Sequence, residues 1–107
     1  MLGKTYRQTM SISESDLLCY LVEWYRPELT AESLDHTAAM VSETAARMRA
    51  EGSAVRLMMT LAVPADEVLF AVFSARSAHI VSEACRRAGV PAQRVSSAVS
   101  AAIPSRS

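Results

Sequence analysis

The residues able to do chemistry are few and scattered. Two histidines, His36 and His79, and two cysteines, Cys19 and Cys85, are spread over a chain of 107 residues. Neither cysteine belongs to a CxxC or a Cys/His cluster, so the spacing supports neither a zinc site nor thioredoxin-like exchange. Each sits in an apolar stretch, the setting of a buried, reduced thiol. The two histidines stand alone in separate helical segments, where solvated surface positions are expected. Met58 and Met59 form a soft pair of the kind that attracts Cu(I), but adjacent strand residues point to opposite faces, which leaves packing as their role. No Ser/His/Asp set, glycine-rich phosphate loop or paired-carboxylate motif is visible.

Two charges stand out because of where they fall. Glu23 lies between Val22 and Trp24 in an apolar run. A carboxylate held there is either a paired or solvent-reaching charge at the rim or a partly desolvated group of the kind suited to proton transfer. Arg56 is the only cation inside a strand-like segment, placed to pair with Glu23 or to meet an anionic ligand. These two residues are the candidate ligand-binding positions. Strand parity alone does not say whether they share a face. No catalytic residue and no metal ligand is identified from the spacing.

The elements that must position these groups are written more clearly. Leu17 to Tyr25 (LLCYLVEWY) reads as a buried strand, with Pro27 soon after. Thr30 is a helix N-cap with a hydrophobic staple between Leu29 and Leu34. Leu34, Ala38, Val41, Ala45 and Met48 then recur at helical spacing up to Gly52, a left-handed stop. Val55, Leu57, Met59, Leu61 and Val63 alternate with Arg56, Met58, Thr60 and Ala62, predicting a strand with one strongly apolar face. Val63-Pro64-Ala65-Asp66 supplies a turn with Pro64 at its second position, and Val68 to Phe73 returns as the partner strand. Ser77 caps a second helix whose Ile80, Val81, Ala84, Cys85 and Ala88 face inward, ended by Gly89 and Pro91. Arg94 to Val99 closes the order.

Composition bounds the rest. Half the residues are apolar, and eleven basic residues balance eleven acidic ones. That is a single globular domain with no uniform field to hold a phosphate backbone, so no nucleic-acid partner is expected. The opening segment is polar and no apolar run reaches the length of a membrane helix, which predicts a cytoplasmic protein with no membrane partner. The domain is expected over residues 16–100, with mobile tails at 1–15 and 101–107.

Two βα units around a central hairpin predict an α+β fold: a ferredoxin-like βαββαβ sandwich with a four-stranded antiparallel sheet and both helices on one face. The other face should then be polar, yet the first and third strands are apolar on both parities. An uncovered apolar sheet face is an interaction surface, and the simplest cover is the same face of a second copy. The expectation is therefore a homodimer paired through its sheets, a dimeric α/β barrel.

Three segments, YLVEWYRPELTAESL at 20–34, VRLMMTLAVPADEVLFAVF at 55–73 and SAHIVSEACRRAGVPAQRV at 77–95, together resemble a small, largely uncharacterised actinobacterial family of ferredoxin-like proteins. Its named representative is nickel-responsive and nickel-binding. The resemblance spans every predicted element and rests on the Leu-Val-Glu strand, the Pro-x-Leu-Thr helix start, the Val-Pro-x-Asp-Glu hairpin and the Arg-Ala-Gly-x-Pro helix stop. It implies a ferredoxin-like dimer. Nickel as a cofactor comes from the resemblance alone: nickel favours imidazole and other N/O donors, and this chain offers only His36 and His79, with Val90, Pro91 and Ala92 in the Arg-Ala-Gly-x-Pro loop.

The leading expectation is a small dimeric ligand- or metal-binding module of the nickel-responsive kind. The alternatives are a small monooxygenase-like enzyme with an apolar cavity, resting on fold analogy, and a purely structural interaction domain.

Overall fold

A computed structural model describes residues 17–98. The expected tails, 1–15 and 101–107, and the last residue predicted for the fourth strand, Val99, lie outside the described residues. The elements run β1 (Leu18–Tyr25), α1 (Ala31–Ala50), β2 (Val55–Val63), a 3-10 turn (Pro64–Asp66), β3 (Val68–Ala75), α2 (Ala78–Arg87) and β4 (Arg94–Ala98). The four strands form one antiparallel sheet in the order β2-β3-β1-β4. This is the ferredoxin-like βαββαβ arrangement.

Local chemistry sets the helix boundaries. Thr30 Oγ1 accepts from the Ser33 amide at 3.1 Å while Ser33 Oγ accepts from the Thr30 amide at 3.0 Å, a reciprocal cap at the start of α1. Leu29 and Leu34 both pack against the core, as a staple should. At the other end Gly52 takes a φ of +102°, and the amides of Gly52 and Ser53 donate back to the Arg49 and Met48 carbonyls. Helix α2 repeats the device. Ser77 caps its start, and Gly89, with a φ of +83°, and Val90 return their amides to Arg86 and Cys85.

Both helices cover one face of the sheet and share a single core with it. From β1 come Tyr20, Val22 and Trp24, from β3 Leu69, Ala71, Phe73 and Ala75, from α1 Val41, Ala45 and Met48, and from α2 Val81, Ala84 and Cys85, with Ala88 at its C-cap. Two threonines of α1 join them. Thr44 Oγ1 donates to the Met40 carbonyl at 2.9 Å, and Thr37 Oγ1 accepts from Arg26 at 2.7 Å, so neither buried hydroxyl is left without a partner. Trp24 ties β1 to the segment between α2 and β4, its indole N–H donating to the Val90 carbonyl at 2.8 Å.

Two expectations are corrected. The alternation through β2 is broken: Leu57 pairs with Phe73 but Met59 pairs with Val72, so Met58 is an extra residue in the ladder. This bulge reverses the parity. Val55 and Leu57 lie under the helices, whereas Met59, Leu61 and Val63 face the other way. The same break removes the alternation that would set Met58 and Met59 on opposite faces. The hairpin turn is also displaced by one residue. The Glu67 amide donates to the Pro64 carbonyl at 3.0 Å, making Pro64 the first residue of the turn, and Glu67 takes the left-handed φ of 56° that brings the chain into β3.

Candidate functional site

Helices cover only one side of the sheet. On the open side, pairing places the residues in rows. Arg56, Ser74 and Cys19 form the first row, closed by Ala98. Met59, Val72 and Leu21 form the second, closed by Ser96. Leu61, Phe70 and Glu23 form the third, closed by Arg94. Val63, Val68 and Tyr25 make the fourth. Five of the eight residues in the two inner rows are apolar, and these five, Leu21, Met59, Leu61, Phe70 and Val72, line an open cavity of about 310 Å³. Met58, Met59 and Leu61 are 56%, 52% and 55% exposed, an arrangement a solvated sheet face does not call for.

The polar groups sit at the margins of this floor. Glu23 and Arg56 share the open face, the point strand parity alone leaves undecided. They are two strands and four residues apart, about 16 Å between Cα atoms from the strand spacing and rise, and they do not pair. Glu23 is engaged instead by Arg94 of β4 at 3.7 Å. Arg56 is exposed and, among the described residues, forms no ion pair. At the far margin the Tyr25 hydroxyl donates to Glu67 at 3.1 Å, and the carboxylate beside it holds the phenol above its ordinary pKa of 10.0.

Sequence reasoning singled out Glu23 and Arg56 but missed Arg94, whose place opposite Glu23 depends on the β1–β4 register. It also assigned Met59 and Leu61 to the same face as Val55, because the bulge leaves no glycine or proline to mark it. The apolar parity of β1 and β3 was the one signal that pointed to this face.

Of the cysteines and histidines, Cys19 alone shares this face: expected to be buried, it lies half-buried beside Leu21. Cys85 is fully buried under the helices, and burial pushes its thiol up to about 12, which keeps it protonated and inert. His36 and His79 are exposed, each near the start of its helix. Helix α1 is entered from the Tyr25 end of β1 and α2 from the Ala75 end of β3, which pairs with Leu18 at the opposite end of β1. The two helices therefore start from opposite ends of the sheet. Among the described residues no three of His, Cys, Asp and Glu come together as a metal-holding group. A second hollow of about 370 Å³ lies at the start of α1, lined by Thr30, Glu32, Ser33 and His36. The hydroxyls of Thr30 and Ser33 there are engaged in the helix cap. Among the described residues no helix is long and apolar enough to cross a membrane.

No family model matches the chain, and no curated protein matches it. Among solved structures the chain is similar to SCO4226 from Streptomyces coelicolor A3(2), with 16% sequence identity and a TM-score of 0.63 over 78% of this chain and 99% of that one. At that identity the likeness carries the fold, and it agrees with the ferredoxin-like topology traced through the strand register.

Proposed function

We propose that the chain is a small binding module that works as a homodimer, two copies stacking their open sheet faces and enclosing an apolar chamber for a small ligand. The observation that carries this reading is the open face itself: five large apolar side chains around a cavity, on a sheet whose other side packs against both helices. Three strands of eight or nine residues and one of five span on the order of 500 Å² in projection, polar margins included. An exposed apolar patch at the centre of such a face is of the kind that is often functional. Stacking two such faces removes Met59, Leu61 and Phe70 from water and turns two open hollows into one enclosed space.

A binder accounts for the face better than an enzyme does. Of the strand residues on it, Glu23 carries the only carboxylate, and Arg94 engages it. Nickel-responsiveness is carried by the family resemblance, and its donors would have to be assembled between chains. Native mass spectrometry of the purified protein, with metal analysis of the same sample, tests the reading. The expected result is twice the 11.6 kDa chain mass with a small apolar molecule retained. A monomer with nothing bound overturns it. A dimer holding stoichiometric nickel and no organic molecule moves the site from the chamber to donors shared between chains.

A further inference from the structure

The margins of the apolar floor are not equivalent, and the difference selects a ligand class. At the β4 side the one carboxylate of the face is neutralised: Glu23 has Arg94 at 3.7 Å. At the first row Arg56 stands with Ser74 as its cross-strand neighbour, and Cys19 lies one strand further on. Arg56 is one bulged step from Met59, and Ser74 and Cys19 are each one same-face step from Val72 and Leu21, so the row lies one step beyond the residues that line the cavity. Among the described residues the face therefore offers an apolar floor with Arg56, a guanidinium in no ion pair, and a hydroxyl at one end. Stacking a second copy would take that guanidinium partly out of water, which costs free energy unless an anion meets it. A guanidinium presents a planar fork of donors suited to a carboxylate.

We infer that the molecule held on this face is an apolar monoanion, a carboxylate in its simplest form. Its chain lies over Leu21, Phe70 and Val72, and its head group meets Arg56 with Ser74 beside it. The inference rests on the binding-module reading and goes further by assigning the charge and polarity of the ligand. It also assigns the two candidate charges different roles. Arg56 is the recognition group, and Glu23 with Arg94 forms a closed margin.

Isothermal titration of the full chain with decanoate and with decanol separates the charge from the chain. The expected result is decanoate binding at least about tenfold tighter than decanol, the scale of one charge-assisted contact. Arg56→Gln should abolish that preference while leaving decanol affinity unchanged, and Arg47→Gln on the exposed side of α1, which removes the same charge elsewhere, should leave it intact. Arg56 is exposed, so the variant is expected to keep the wild-type thermal midpoint. The oligomer mass is measured on the same samples. A dimer that binds both ligands equally, or whose decanoate preference survives Arg56→Gln, overturns this inference alone. A monomer that binds neither overturns the module reading and this inference with it.

Discussion

The two faces of this one sheet are built from neighbouring residues of the same strands, yet they have opposite fates. Phe73 and Val22 are sealed beneath helices. Phe70 and Leu21, close by on the same strands, face outward into an open hollow. Polar residues explain only the margins of the second face. The comparison teaches that in a two-layer fold an apolar residue need not be a core residue: the covered face stabilises the chain, and the open face leaves its apolar surface accessible.

Thiol chemistry gives the widest contrast, because one cysteine lies on each side. With its pKa near 12, Cys85 is thiolate to about one part in ten thousand at pH 8. Maleimide labelling followed by peptide mass mapping should leave it unmodified on the time scale that modifies Cys19 in dilute protein. Protection of Cys19 should grow as protein concentration rises and the open faces pair. Cys19 labelling that is independent of concentration would separate the open face from any partner.

The phenylalanines sharpen the same contrast in energy. Phe73→Ala is expected to cost about 3–5 kcal/mol in denaturant unfolding, the range for truncating a fully buried aromatic. Phe70→Ala should cost far less in dilute protein and gain importance with concentration. Trp24→Phe comes next. It keeps most of the apolar volume but leaves the Val90 carbonyl without its indole donor, a loss of about 1–3 kcal/mol read from the unfolding midpoint.

The smallest effect belongs to the solvent side of α2. Hydrogen bonds from Arg86 and then Arg87 hold the Glu83 carboxyl below its ordinary 4.5. A carboxylate with a lowered folded-state pKa contributes stability that is fully present above the unfolded value and is lost as pH falls through the folded one. Glu83→Gln should therefore lower the unfolding midpoint slightly at neutral pH, and the difference should shrink on acidification below about pH 4.5. A difference independent of pH would assign the effect to packing.

Most of the fold was legible because its signals are local. Thr30 and Ser77 cap, Gly52 and Gly89 stop, and the helical spacing from Leu34 to Met48 needs no tertiary knowledge. What escaped were features fixed by pairing. The Met58 bulge has no compositional mark and exists only because Leu57 and Met59 meet consecutive residues of β3. The burial of Thr37 and Thr44, which lie off the apolar stripe of α1, depends on Arg26 and the Met40 carbonyl to satisfy their hydroxyls. The candidate site was half legible. Double-parity apolar strands announced the open face, and Glu23 and Arg56 were picked out by charge in an apolar run, but their separation of about 16 Å, two strands across and four residues along, and the Glu23–Arg94 pairing depend on register.

The open face is tested most directly by sedimentation equilibrium of the wild-type chain beside Phe70→Glu, with far-ultraviolet circular dichroism on both. The account predicts a wild-type mass of twice 11.6 kDa and a Phe70→Glu chain that keeps its helix and strand signal but sediments as a monomer. A wild-type monomer at all concentrations, or a Phe70→Glu dimer, would contradict it.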